Sequence, residues 1–368
     1  MAKPLLPLGA LATHCTGFLA GDGPRTTSSL IAQISTDTRM DVYGDGGVVT
    51  ELEEYIASIL GKEKALFMPT GIMTQQATLR VLTDHAHNSR VALHPMSHLR
   101  THEENAFVRL HGLQEVLATG GSPHEPVRLE TLKAIKEPIG ALLLELPQRD
   151  MGGYLPTWNE LVAQTKWARK NNVALHLDGA RLWEAAPYYA ATAKKSIKDI
   201  CALFDTVYVS FYKGLGGISG SCVAGKAEVI NEVSLWRTRH GGRAYMLWPY
   251  AASALAVVKT RPKDMAAYYR RAVALSKKLH EIEGIEVLPD EVRSPMMHVR
   301  FSATKEEMEA RVRKIATEQK IMTLPGIFLS ESTNLQRYEY QVGRASMKFS
   351  LQQMVRLFEE LAGSVTGN

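Results

Sequence analysis

Apolar and polar positions along the chain alternate between two periods. From about residue 48 to 225, stretches with apolar residues three and four apart are interleaved with short unbroken apolar runs. That pattern predicts helices crossing between buried, mostly parallel strands. In Val49–Leu60, residues Leu52, Tyr55, Ile56, Ile59 and Leu60 share one helical face, and Gly61 follows as a stop. The runs Ala65–Met68, Val91–Leu93, Ala141–Leu146, Val173–Leu177, Thr206–Ser210 and Ser221–Ala224 have the length and composition of buried strands. Thr157-Trp158-Asn159-Glu160 reads as a capping box that opens the helix leading to Val173.

After about residue 226 the pattern changes to long helices, Lys226–Arg239 and the alanine-rich Tyr245–Lys259, and a boundary is expected at Thr260-Arg261-Pro262. Beyond it the periodicity predicts helix Asp264–Glu283, strands Ile285–Leu288 and Met296–Phe301, helix Thr304–Gln319, strand Tyr338–Met347 and helix Leu351–Ala362. Together these elements describe a large α/β domain over 36–260 and a small α+β domain made of 1–35 and 261–368.

Composition narrows the function. Apolar residues make up 45% and charged residues 22%, the mixture of a soluble globular protein, with no apolar run long enough for a membrane helix. The net charge of +5 is spread along the chain, which argues against a nucleic-acid binder. Cys15, Cys201 and Cys222 have no metal-ligand spacing and cannot form a disulfide framework, so no metal and a reducing, cytoplasmic location are expected. The apolar segment Pro4–Ala12 is broken by Pro4 and Pro7, and no small-x-small cleavage site follows it; export is not expected.

Two segments carry the chemistry: His176-Leu177-Asp178-Gly179-Ala180-Arg181 and Ser210-Phe211-Tyr212-Lys213-Gly214-Leu215-Gly216-Gly217. Each closes an apolar strand with a charged residue, and ligands of open α/β sheets bind off the carboxyl ends of the strands. Asp178 and Lys213, 35 residues apart, are therefore expected in one crevice. A lysine amine beside a carboxylate suits pyridoxal phosphate, whose aldehyde condenses with an amine while an acid keeps its ring nitrogen protonated. The simpler alternative makes Asp178 a helix N-cap and Lys213 a surface lysine. Neither a P-loop nor a Gly-x-Gly-x-x-Gly fingerprint is present.

These residues resemble the threonine aldolase and β-eliminating lyase family of fold-type-I pyridoxal phosphate enzymes. Leu175–Arg181 and Ser210–Gly216 stand in the family's order, as do Asp41–Asp45, Thr50–Glu53, Phe67–Gly71, Trp236-Arg237 and Gly241-Gly242. The resemblance covers roughly residues 35 to 260. It implies a transferase-like fold with a seven-stranded, mostly parallel sheet in the large domain. It also implies that Lys213 holds the cofactor aldehyde and Asp178 the pyridine nitrogen, with Arg181 near the phenolic oxygen or the substrate carboxylate. His98 matches the histidine that stacks on the ring and assists proton transfer, Glu103 matches an acidic position, and His94 and His102 are expected bystanders.

Phosphate is expected on the backbone N–H groups of Gly71 and Ile72 at a helix start. Relatives carry a hydroxyl where Ile72 stands, so Thr70 or Thr74 is expected to compensate. Thr238 occupies a position that is basic in relatives, where a neighbouring subunit reaches the phosphate; Arg243 is the expected substitute. In Glu145–Gly153, Gln148 replaces a histidine that approaches the substrate hydroxyl, and an amide is no base near neutral pH. Arg337 and Arg344 are candidates for the substrate carboxylate, with preference for Arg337.

The resemblance implies retro-aldol cleavage of a β-hydroxy-α-amino acid to glycine and an aldehyde, with His98 or a water held by Gln148 as base. β-Elimination and amino-group transfer are the alternatives, and a cofactor-free binding module is a rival of another class. A homodimer or homotetramer with shared active sites is implied, with an amino acid as its small-molecule partner.

Overall fold

The computed structural model describes residues 7–326 and 328–364 and divides into two units: Thr26–Asp150 with Tyr154–Lys263, and Met1–Arg25 with Met151–Gly153 and Asp264–Asn368. Pro4 to Leu6 of the leader-like segment lie outside the described residues.

The first unit is built on seven strands: β1 (Lys64–Met68), β2 (Arg90–Leu93), β3 (Gln114–Leu117), β4 (Ala141–Glu145), β5 (Ala174–Gly179), β6 (Thr206–Ser210) and β7 (Ser221–Gly225). They lie in the order β1-β7-β6-β5-β4-β2-β3. Strand β7 runs antiparallel to both neighbours and the other contacts are parallel. Because β7 reverses direction between β1 and β6, the carboxyl ends of β1, β2, β4, β5 and β6 all reach the same edge of the sheet. That edge is where an open α/β sheet binds its ligand.

Alternate strand residues, Leu66 and Met68, Val91 and Leu93, Ala141 and Leu143, meet Ala77, Leu79, Val81 and Leu82 of helix Gly71–His85 in one buried cluster. Period-2 and period-3.6 faces interlock here as the sequence pattern requires. The helix Gly47–Leu60 buries Val48, Val49, Leu52, Ile56 and Leu60, and ends at Gly61, whose φ of 66° is the left-handed stop.

Two elements differ from expectation. Strand β3 has three of its four residues exposed, because it lies on the outer edge of the sheet and carries no apolar run to mark it. The helix expected from Tyr245 begins at Trp248, since Pro249 fits only the first turn and Leu247 is held outside the helix by Asp41.

The second unit has an antiparallel sheet of β8 (Ile285–Leu288), β9 (Met296–Phe301), β10 (Leu329–Ser332) and β11 (Leu335–Gln341), in the order β10-β11-β9-β8. The expected strand Tyr338–Met347 is displaced toward the N-terminus. It stops at Gln341: Val342 pairs with Gly21, Ala345 N donates to the Gly21 carbonyl at 3.1 Å, and the chain turns away into a short helix at Ser346. Strand β10 is exposed at all four residues and left no apolar signal. Phe358, from helix Leu351–Ala362, packs between Phe301 and Tyr340, with ring centroids 6.3 and 5.2 Å apart.

Candidate active site

Five strand ends deliver the site. Strand β5 carries Asp178 as its penultimate residue, β4 ends in Glu145, and β6 runs into the turn carrying Lys213; β2 leads to His98, and β1 to Gly71. A cavity of about 210 Å³ opens among them. Gly71, Ile72, Gln75 and Asp178 line it on one side, with His98, His102, Glu103, Tyr208, Tyr212 and Lys213 completing the wall.

Among the described residues the Lys213 ammonium has no hydrogen bond or ion pair. Burial lowers its pKa, and the Arg181 charge lowers it further, against the opposite pull of Asp178, Glu145 and Glu184. A buried amine pushed toward its neutral form is a nucleophile. Its turn is fixed from behind: buried Glu184 accepts the Gly214 N–H at 3.1 Å, and a Cβ on Gly214 would fall 2.3 Å from the same carboxylate oxygen. Only glycine allows that approach.

Asp178 is 2% exposed. Its Oδ1 accepts the Ala180 N–H at 3.0 Å and its Oδ2 accepts from Gln75 Nε2. Glu145 stands beside it in the β4–β5 register and accepts N–H groups from His98 and Arg149 at 3.1 and 3.0 Å. Burial, and next the Asp178 charge, push the Glu145 carboxyl upward.

His98 Nδ1 lies 3.0 Å from Glu103 Oε1, and Gln76 Nε2 holds the other Glu103 oxygen at 3.1 Å. Glu103 is buried, so this carboxylate fixes the orientation of the imidazole through Nδ1 and leaves Nε2 unbound to it. His94 is engaged by backbone groups of Glu125 and Met96 at 2.8 and 3.0 Å. His102 lines the cavity and pairs with Asp150 at 2.8 Å. Gln148 Nε2 donates to the Met96 carbonyl at 3.0 Å and to Glu145 at 3.3 Å, so its amide is tied to the site's frame.

The helix Gly71–His85 points its N-terminus into the cavity, and the N–H groups of Gly71 and Ile72 belong to its unpaired first turn. A Cβ on Gly71 would meet the Tyr208 hydroxyl at 2.1 Å, so the backbone is bare where an anion would approach. Thr70 caps the helix, its hydroxyl oxygen accepting from Met73 N at 3.3 Å, and the hydroxyl keeps its own proton to donate. Thr74 is engaged, with the Thr70 carbonyl at 2.9 Å and Ser221 at 2.7 Å. A further hydroxyl at this helix start belongs to Tyr208, a residue sequence reasoning missed.

The remaining family-like motifs brace the strand ends. Glu53 accepts the Phe67 N–H at 2.7 Å while buried Arg237 donates to the Phe67 carbonyl at 3.0 Å, gripping one residue of β1 from both sides. Asp41 accepts from Gly44 N and Leu247 N. Arg243 donates to the Tyr43 carbonyl at 3.0 Å and pairs with Asp45 at 2.6 Å, so in this chain it serves the Asp41–Asp45 turn. Arg337 and Arg344 belong to the other unit. There Arg337 pairs with Glu331 at 3.1 Å and meets His298 Nδ1 at 3.1 Å, and the exposed Arg344 lies 4.0 Å from Asp264.

Behind Asp178, burial drives the His176 imidazole down to about 3. The unfolded chain therefore binds a proton here from near pH 6.5 downward that the folded chain refuses, and stability falls as pH drops toward 3. We expect this residue alone to cost on the order of 1 kcal/mol per pH unit between pH 6 and 4. Urea denaturation at pH 4, 5, 6 and 7 should show that acid slope in the wild type and a shallower one in His176→Gln.

These groups fit pyridoxal phosphate: a partnerless amine, a buried carboxylate facing it, and an anion cradle that a side chain at Gly71 would fill. No group of three or more His, Cys, Asp or Glu among the described residues could hold a metal ion.

Comparison with known proteins agrees. The family model described as beta-eliminating lyase matches residues 24–302. The low specificity L-threonine aldolase of Escherichia coli K12 is 28% identical over 77% of this chain and 84% of its own length. The aldolase vrtJ of Penicillium aethiopicum is 31% identical over 58% of this chain, which spans about half (54%) of that protein. A crystal structure from Listeria monocytogenes, provisionally named an L-allo-threonine aldolase, superposes with a TM-score of 0.91 at 35% identity, covering 97% of this chain and 99% of the other.

Proposed function

This chain belongs to the beta-eliminating lyase family, and from that premise we propose that it cleaves the Cα–Cβ bond of L-β-hydroxy-α-amino acids of the threonine, allo-threonine or phenylserine type, releasing glycine and an aldehyde. It is a lyase dependent on pyridoxal phosphate, of fold type I. The observation that carries the reading is the meeting of Lys213 and Asp178 in one cavity at the carboxyl edge of the sheet.

When bound, the cofactor supplies an aldehyde for amine exchange and a ring that withdraws the electron pair left at Cα. The chain's residues do the rest. Lys213 offers the amine, depressed toward neutrality by burial and Arg181. Asp178 would hold negative charge toward the ring nitrogen of the bound cofactor. His98, oriented by Glu103 through Nδ1, takes the β-hydroxyl proton on Nε2. Gln148 keeps Glu145 and the Met96 backbone in place, which favours His98 over a Gln148-held water as base. Gly71 and Ile72 take the phosphate at the helix start, with Thr70 as the cap that holds that turn. Arg181, Arg337 and Arg344 are the arginines proposed for the substrate carboxylate.

We further place the protein in the cytoplasm as a homodimer or homotetramer. Three free thiols support a reducing location, and among the described residues no helix is long and apolar enough to cross a membrane. Exposed Met40, Val42, Tyr43, Tyr245 and Met246 support an interface between copies near Arg243.

Incubation with L-threonine, L-allo-threonine, phenylserine and cysteine tests the reaction. Equal amounts of glycine and aldehyde from the first three are expected. Pyruvate from cysteine with no aldehyde from the others would replace cleavage by elimination, and keto-acid formation that requires a second amino acceptor would replace it by amino-group transfer.

A further inference from the structure

Asp178 is the last member of a buried row of polar groups that the reaction as described leaves unused. Gln75 Nε2 donates to Asp178 Oδ2, Gln75 Oε1 lies 2.6 Å from His176 Nε2, and His176 Nδ1 lies 2.8 Å from Thr206 Oγ1. All four residues are at most 2% exposed. They come from helix Gly71–His85, from β5 and from β6, so the row crosses three elements.

The chemistry of each group fixes the direction of every proton in the row. A carboxylate only accepts, so the amide nitrogen of Gln75 faces Asp178 and its oxygen faces His176. That oxygen has no proton to give, so His176 Nε2 carries one. A neutral imidazole has a single N–H, which leaves Nδ1 as the acceptor for the Thr206 hydroxyl. The donors therefore run one way, from Thr206 through His176 and Gln75 to Asp178, each polarised by the one behind it.

The surroundings give this row something to counteract. Glu145 on β4 and Tyr208 on β6 flank Asp178 in the sheet register, and Lys213 faces it from the turn after β6. A second carboxylate so close favours a proton on one of the pair. Both Asp178 oxygens accept from N–H donors, one from Gln75 and one from Ala180, the bonding pattern that an acceptor-only carboxylate provides.

We propose that Thr206, His176 and Gln75 are positioning residues that act through Asp178, holding it as an oriented anion and thereby setting the protonation of the cofactor's pyridine nitrogen. The proposal rests on the functional reading above. With the cofactor bound, a protonated ring would make the nitrogen that it shares with Lys213 harder to protonate, and weakening the row would move that protonation to higher pH.

The experiment uses the protein loaded with pyridoxal phosphate. The pH midpoint of its visible absorption and the cofactor dissociation constant are measured for wild type, Gln75→Leu, Thr206→Val and Thr206→Ser. Borohydride-treated samples are mapped by mass spectrometry for a pyridoxyl group on Lys213. For Gln75→Leu we expect a midpoint raised by about one pH unit and cofactor binding about tenfold weaker. Thr206→Val should move in the same direction by less, and Thr206→Ser, which keeps the hydroxyl, should match wild type. Should Gln75→Leu fail to fold, the Thr206 pair decides. A labelled Lys213 with unchanged midpoints in Gln75→Leu and Thr206→Val, or equal shifts in Thr206→Val and Thr206→Ser, overturns the relay alone. No label on wild-type Lys213 overturns the cofactor reading and the relay with it.

Discussion

Lys213→Ala is expected to lower aldehyde release from β-hydroxy-α-amino acids by at least about a thousandfold while leaving the fold intact. The two halves of this result have one cause. Among the described residues the ammonium has no partner, so truncation breaks no hydrogen bond and empties no ion pair. It also relieves the protein of holding a charge-prone amine out of water. The cofactor-free variant should therefore melt no more than about 2 °C below the wild type, and a higher melting temperature would follow equally from the same burial. The turn itself is anchored elsewhere, by Glu184 on the Gly214 N–H. Thermal melts of both cofactor-free proteins, with coupled glycine and aldehyde assays, check the two halves together. Retention of more than a few per cent of activity, with the fold unchanged, would remove Lys213 from the chemistry.

The parts of the fold legible from sequence were those in which burial is two-sided. Strands β1, β4, β5, β6 and β7 are covered on both faces and so read as unbroken apolar runs. Strand β3 and strand β10 sit on sheet edges with their residues in water, and nothing in their composition separates them from loops. Asp178 and Lys213 were legible for a related reason: a charge that ends an apolar run must face something other than core. Gln75 and His176 were not. Gln75 occupies the inward face of helix Gly71–His85 in a run of buried polar residues, Thr74, Gln75, Gln76 and Thr78. A polar run on the inner side of a buried helix was the available signal, but the partners of Gln75 both come from β5, about a hundred residues on, and side-chain pairing at that separation leaves no periodic trace. Sequence proximity points to Thr70 and Thr74 for the hydroxyl expected beside Ile72. Thr74 is engaged by the Thr70 carbonyl and by Ser221, Thr70 caps the helix as an acceptor, and a phenol that also stands at the helix start arrives on β6.

The substitution Asp178→Asn keeps the shape of the site and removes its charge, which makes it the sharper test of how the site handles electrons. In the wild type both carboxylate oxygens accept, one from Ala180 N–H at 3.0 Å and one from Gln75 Nε2. An asparagine has one oxygen, so one of these two donors must face an N–H₂ group, and a buried donor left without an acceptor costs roughly 1–3 kcal/mol. If Gln75 turns its amide to relieve the conflict, its nitrogen faces His176 Nε2, and that imidazole must move its proton to Nδ1, against the Thr206 hydroxyl. The disturbance therefore travels the length of the buried row. More directly, a neutral amide offers no charge to keep the ring nitrogen protonated, so Cα–Cβ cleavage loses its electron acceptor. We expect kcat for aldehyde release to fall at least a hundredfold, about the loss seen when one preorganised electrostatic group is removed from an active site. Saturating cofactor should not restore it, because the defect lies in ring charge rather than occupancy. Asp178→Glu keeps the charge and displaces it by one methylene, and should fall between Asn and wild type. The check is kcat at saturating pyridoxal phosphate for the three proteins, with Lys213 labelling by borohydride to show that each is loaded. A fully labelled Asp178→Asn protein within threefold of wild-type kcat would show that the acceptor works without this carboxylate.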